Sequence, residues 1–257
     1  MPQWIALSRT EHRHKRLLPR DGYRFAAAER AVPVLLAELN KVIPHYLLGF
    51  IAQGEAFVPV ALLGTRDNAY LAPDGRWLGA YVPATLRGYP FTLAGAEDGS
   101  RVLAVEAGHL TDDDQGEPLF DGDAPSATVN QTLEFLQQCE QSRETTLKAT
   151  RVLAKHGLLA EWDLAVPTDA DGGTPVKLDG VYRLDEARLN QLDGEALCDL
   201  KGAPLTLAYA QMFATGQHKA LAERLAFQAR HAAQQEAPDD LESFFGESDD
   251  ELTFDFD

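Results

Sequence analysis

The hydrophobic period of this chain changes once, between Gly108 and Ser126, and that change constrains its fold more than any single motif. Ahead of it, apolar residues come in short runs broken by turn residues. QWIALS stands alone, HYLLGFIAQ and FVPVALLG flank GEA, and YPFTLAG and RVLAVEAG flank EDGS. Such runs predict strands, and the GEA break predicts a hairpin. NAYLAPDGRWLGAYVP extends the meander, with Pro73-Asp74-Gly75 as a turn. One segment departs from the pattern. ERAVPVLLAELNKVIP places Val34, Leu35, Leu39 and Val42 at helical spacing, with Pro33 in the first turn, and predicts a helix on the sheet.

Behind the change, Ser126 is placed to cap TVNQTLEFLQQCEQ, in which Val129, Leu133, Leu136 and Cys139 recur at helical spacing. The pattern resumes through TTLKATRVLAKHG and stops at Gly157. WDLAVP and VKLDGVYRL predict strands, the second with a turn at Asp179-Gly180. DEARLNQL, TLAYAQMFAT and HKALAERLAFQARHAAQQ predict helices. The sum is an α+β chain: an antiparallel sheet mainly from the N-terminal half, helices mainly from the C-terminal half. One unit is expected over residues 1–235, then a disordered acidic tail over 236–257.

Of the 257 residues 45% are hydrophobic, enough for a sizeable core. The longest apolar stretch, Ala31 to Leu63, is broken by Glu38, Asn40, Lys41, Pro44, His45, Gln53 and Glu55, so no membrane span is read. The N-terminal MPQWIALSRTEHRHKR carries its charges after a short apolar run, the reverse of a secretory signal. The expected location is cytoplasmic, with export lacking a cleaved signal left open. Cys139 and Cys198 lie far apart without CxxC spacing and are expected as small buried side chains rather than zinc ligands.

The net charge of −17 is uneven. Nine acids fall between Asp239 and Asp257, whereas Arg9 to Arg30 is rich in Arg and Lys. A chain this acidic lacks the positive field that phosphate contacts need, which argues against a nucleic-acid partner. Within the basic segment, EHRHKR offers His12, Arg13, His14, Lys15 and Arg16 as an anion-binding patch; on a strand the two histidines would share a face. TDDDQGEP has consecutive acids where a calcium loop needs alternating ones, and reads as an exposed loop. There is no Gly-rich phosphate loop, GxSxG elbow or HExxH, so no catalytic residue, metal or cofactor is assigned. The densest aromatic and basic cluster is GRWLGAYVPATLRGYPF. It offers Arg76, Trp77, Tyr81, Arg87 and Tyr89 as partner-binding residues, with Arg87 and Tyr89 expected as the exposed members.

GRWLGAYVPATLRGYPFTLAG, EPLFDGDAPSATVNQTLEFLQ, LDGVYRLDEARLNQLDGEAL and GAPLTLAYAQMFATGQHKAL together resemble the bacterial SapC family, as do VPVLLAELNKVIPHYLLGF and VPVALLG. The likeness runs from about Trp4 to Leu225, and YVPATLRGYPF and PLFD are its most specific parts. It implies a soluble accessory protein. The family is named for a protein linked to bacterial surface-layer formation, and its members are often associated with outer-membrane receptor and oxygenase- or halogenase-like systems. The peptide-transport permease of the same name spans membranes and is a different protein. The family pattern often has His where this chain has Gln211.

The acidic end carries Phe244, Phe245, Phe254 and Phe256. Closely spaced acids keep such a segment extended, so its rings can meet an apolar groove while its carboxylates meet a basic rim. That rim is expected on a separate partner or on the chain's own basic segment. The expected function is a non-catalytic accessory or adaptor protein that binds a peptide or protein. The alternative is an enzyme or enzyme subunit acting on a peptide or a surface-layer component.

Overall fold

The computed structural model describes residues 3–96, 99–167 and 175–236, with backbone alone for 232–236. Its strands are β1 (Trp4–Ala6), β2 (Arg16–Leu17), β3 (Ala31–Pro33), β4 (Leu47–Gln53), β5 (Ala56–Leu62), β6 (Phe91–Gly95), β7 (Arg101–Glu106), β8 (Leu110–Thr111), β9 (Glu117–Pro118), β10 (Phe120–Asp121), β11 (Ala124–Pro125), β12 (Leu159–Glu161), β13 (Leu164–Val166), β14 (Val176–Leu178) and β15 (Val181–Leu184). The helices are α1 (Arg9–His12), α2 (Leu39–Val42), α3 (Ala84–Arg87), α4 (Ala127–Lys155), α5 (Glu186–Asn190), α6 (Gly194–Asp199), α7 (Ala203–Ala214) and α8 (His218–Glu236). The architecture is α+β, with helices concentrated towards the C-terminal end.

The largest sheet is antiparallel, in the order β12-β15-β4-β5-β3. Its centre is the expected hairpin, paired from Leu47↔Leu62 to Gln53↔Ala56. Leu47, Leu48, Phe50, Val60, Ala61 and Leu62 are all buried. A continuous apolar run is what a strand covered on both faces requires. α4 packs on β5, and α7 packs on β4, β15 and α4. A second sheet, β1-β7-β6, encloses a smaller cluster of Phe91, Val105, Leu119 and Val129.

α4 joins the two cores. Val129 and Leu136 serve the smaller one and Ala149 and Leu153 the larger. Ser126 caps it by accepting from Val129 N–H at 3.4 Å. It ends at Gly157, φ +63°, where Gly157 N–H donates to Ala154 O and Leu158 N–H to Leu153 O. This paired closure needs a left-handed residue, which glycine supplies without steric cost.

Three expectations are corrected: the helix at Ala31–Pro33, the meander over residues 68–82 and the burial of both cysteines. Ala31–Pro33 is a strand rather than the first turn of a helix, because Leu63 N–H donates to Arg30 O and Val34 N–H to Pro59 O, tying the segment to β5. Pro33 lies on the sheet edge, where it needs no N–H. The helix shrinks to a 3₁₀ turn, Leu36–Glu38, and α2. Residues 68–82 form a loop with one bridge, Leu71↔Trp77, although the turn at Pro73-Asp74-Gly75 is present. The expected arrangement, sheet mainly from the earlier half and helices mainly from the later, is present; the N-terminal strands divide among several sheets, and β12 and β15 complete the largest one. The expected turn at Asp179-Gly180 is present, and it joins strands of different sheets, since β14 pairs with β13 whereas β15 pairs with β12 and β4. Cys139 is half-buried and Cys198 is exposed.

Phe244, Phe245, Phe254 and Phe256 lie outside the described residues. Among the described residues no helix is long and apolar enough to cross a membrane.

Candidate interaction surface

The basic run EHRHKR and the acidic loop TDDDQGEP meet in space. β2 is the middle strand of a small sheet, with β8 and β9 on either side, and these carry the two ends of the acidic loop. Lys15 Nζ lies 2.6 Å from Asp112, and Arg16 pairs with Asp114 at 3.3 Å while donating to Gly116 O at 3.0 Å. Arg13 lies 3.6 Å from Asp123, which Arg9 also approaches. His12 is buried in α1, where its Nδ1 accepts from Ser8 N–H at 3.0 Å; His14 is exposed in the following turn. The two histidines therefore share no strand face. An incoming anion would compete with the chain's own carboxylates here, although each exposed pair contributes only a few tenths of a kcal/mol.

The segment YVPATLRGYPF is held from below by Glu38. This carboxylate is 4% exposed and accepts three hydrogen bonds: Leu35 N–H at 3.0 Å, Tyr81 Oη–H at 2.8 Å and Ala84 N–H at 2.8 Å. A buried charge is tolerated only when it is satisfied in this way. Arg87 donates to Tyr81 Oη at 3.1 Å and lies over the rings of Tyr81 and Phe135. Burial, then the bond to Glu38, pushes the Tyr81 phenol well above its usual range. Burial, then the Glu38 charge, pushes the Cys139 thiol up to about 11, so it stays protonated at neutral pH.

The expected partner-binding residues separate accordingly. Trp77 is buried, 8% exposed, with its Nε1–H directed to Tyr46 Oη at 2.9 Å and Tyr81 O at 3.1 Å, so it serves the core. Tyr81 is half-buried and bonded to Glu38. Arg76 is exposed beside Asp74, and Arg87 is exposed as expected. Tyr89 is half-buried rather than exposed.

Tyr89 instead forms one wall of an open cleft. Its ring stacks on Phe25 at 3.8 Å and 10°, and meets Trp4 edge-on at 6.3 Å. Behind it, His109 Nε2 lies 3.1 Å from Tyr89 Oη. Trp4 is 40% exposed and stands directly opposite Glu106 across β1 and β7. With Phe91 and Glu29 these residues enclose about 490 Å³. Burial, then the nearby Glu106 carboxylate, raises the Tyr89 phenol. Sequence reading found Tyr89 but missed Trp4, Phe25, Glu29 and Glu106. They converge through the β1–β7 register and the 3₁₀ turn Arg24–Ala26, which no local pattern announces.

A second exposed apolar set lies on α6 and α7. Leu197, Tyr209 and Phe213 are exposed, Phe213 by 69%, and the two rings stack one helical turn apart at 6.2 Å. Phe213 borders a groove of about 530 Å³ shared with Trp162, Met212 and Gln211. Among the described residues no group of three or more His, Cys, Asp or Glu is placed to hold a metal ion.

Compared with known proteins, the chain matches the SapC family model over residues 7–221. No curated protein and no solved structure matches it.

Proposed function

The chain belongs to the SapC family, and from that premise we propose that it is a non-catalytic accessory protein whose partner, a protein or peptide, docks on the Trp4–Phe25–Tyr89 cleft. The observation that carries this reading is the cleft itself. Four aromatic side chains, Trp4, Phe25, Tyr89 and Phe91, line an open cavity, and Trp4 gives up 40% of its surface to water beside it. Large apolar area left in solvent is recovered when a partner covers it, and Trp, Tyr and Arg dominate binding hot spots. Tyr89 and Phe91 come from YVPATLRGYPF, and Arg87 from the same segment adds an exposed guanidinium. The reactive groups beneath this segment are committed to structure, Glu38 by three donors and Cys139 by a raised pKa. The proposed setting is a bacterial surface-layer or outer-membrane-related system, with the protein acting from the cytoplasm.

Quantitative affinity capture with the full chain tests the reading, using lysate of the cells that express it. Trp4→Ser and Thr85→Arg alter the cleft, and Phe213→Ser alters the other exposed face. The expected result is that both cleft variants lose the same partner while Phe213→Ser retains it. Retention by all three, or loss by Phe213→Ser alone, would place the partner elsewhere and defeat the proposal.

A further inference from the structure

We infer that the cleft receives an arginine side chain of the partner polypeptide, held between the aromatic walls by Glu29 and Glu106. The inference rests on the partner-binding reading above and assigns the chemistry of what enters.

The charges lining the cavity are both negative: Glu29 and Glu106 contribute carboxylates, and no Lys, Arg or His lines it. Among the described residues neither carboxylate makes an ion pair or a side-chain hydrogen bond. That distinguishes them from Asp21, Asp112, Asp114, Asp123 and Glu140, each of which faces a cation of this chain. Three cations on the segments adjoining the cleft are engaged elsewhere, and Arg30, next to Glu29 in sequence, lines a neighbouring groove rather than this cavity. Arg20 lies over Tyr23 and donates to its hydroxyl at 2.9 Å, Arg24 pairs with Asp21, and Arg87 lies over Tyr81 and Phe135. The cleft thus combines two uncompensated negative charges with aromatic faces and edges.

That combination selects a cation that is planar and weakly hydrated. A guanidinium can stack on an aromatic face while its edge donates two parallel hydrogen bonds to a carboxylate; an ammonium is more strongly hydrated and lacks the fork. The register places the Trp4 ring and the Glu106 carboxylate side by side on one sheet face, so one guanidinium can meet both. The same pairing of arginine with aromatic rings recurs within the chain, at Arg20, Arg87 and Arg224. A net charge of −17 adds a long-range field that draws a basic partner in.

The probe is an end-blocked Gly-Gly-Arg-Gly-Gly pentapeptide, titrated into the ¹⁵N-labelled full chain. The readout is the Trp4 indole N–H resonance, assigned by its loss in Trp4→Phe. The Arg peptide is expected to shift this resonance saturably, and less tightly as salt is raised. Replacing Arg by citrulline keeps the shape and removes the charge, and should weaken binding at least about tenfold. Glu29→Gln with Glu106→Gln should weaken the Arg peptide by a similar factor, with the other resonances in place to show that the fold is intact. No Trp4 shift, equal binding of the citrulline peptide, or indifference to the double Gln change would each overturn the inference. A lysine peptide that binds as tightly as the Arg peptide would overturn the assignment to arginine. If these arms fail while Trp4→Ser still loses the captured partner, partner binding at the cleft stands and only its charge chemistry is wrong. If the Arg peptide binds but Trp4→Ser retains every partner, the cleft takes guanidinium and the partner-docking reading fails.

Discussion

Gln211 shows how much one side chain can hold. β15 and β4 pair at Val181↔Ile51 and Tyr182↔Phe50. Beyond that point Gln211, 2% exposed, bridges them: its Oε1 accepts from Leu184 N–H at 3.0 Å and its Nε2 donates to Leu48 O at 3.2 Å. One acceptor and one donor close a gap that the strands leave between them. Gln211→Ala strands two buried backbone groups and should cost about 2–4 kcal/mol in urea unfolding. A neutral imidazole also offers one acceptor and one donor. Gln211→His should therefore cost no more than about half as much as the Ala change. Equal losses would show that packing, rather than the paired bonds, is what the position supplies.

The 29 residues of α4 act as the spine, about 43 Å long at 1.5 Å per residue. Its polar side chains also reach outward: Thr146 Oγ1 accepts from Leu36 N–H at 3.0 Å, satisfying the start of the 3₁₀ turn Leu36–Glu38. Glu140 is bound by Arg143 on the same helix and by Arg101 on β7, each at 2.7 Å. The Arg143 hydrogen bond, opposed by burial and then supported by the Arg143 and Arg101 charges, holds its carboxyl below the ordinary value of 4.5. A carboxyl lowered in the folded state stabilises the fold above its unfolded pKa, and that contribution is lost as pH falls through the folded pKa. Glu140→Gln should thus be less stable than the parent at pH 7. The gap should be about 1 kcal/mol or less, because both arginine partners are nearly half exposed to solvent. It should narrow progressively below pH 4.5 and close once both states are protonated. Urea unfolding at pH 7 and at successively lower pH follows the gap, and a gap that did not narrow below pH 4.5 would rule out the ionic origin.

Across the whole molecule, charge is arranged so that much of the basic segment is already answered. Arg9, Arg13, Lys15, Arg16 and Arg24 all face carboxylates of residues 21–123. An acidic end that docked on this segment would have to displace those partners. We therefore expect residues 238–257 to act on a partner, so their removal should leave the melting temperature unchanged within about 2 °C at both low and high salt. A larger, salt-sensitive fall would show docking within the chain. In a 238–257 peptide, changing Phe244, Phe245, Phe254 and Phe256 to Ser should weaken partner binding with every charge kept.

What the sequence determined by itself was local. The β4–β5 hairpin, the β6 and β7 strands, the Ser126 cap and the Gly157 stop depend on residues within a few positions of one another, where dihedral preference and hydrogen-bond reach decide the outcome. The SapC resemblance was legible for a different reason, since motifs such as YVPATLRGYPF survive as strings. Tertiary structure alone decided the rest. Ala31–Pro33 has helical periodicity around it, but pairing with Ala61 and its neighbours outweighed that preference. β12 and β15 joined a sheet begun more than 100 residues earlier, and Lys15 met Asp112 97 residues away. The cleft required Trp4, Phe25, Tyr89 and Glu106 to converge. Such pairs are chosen by which whole faces can be buried together, and the free energy of that choice belongs to the packed molecule rather than to any short segment.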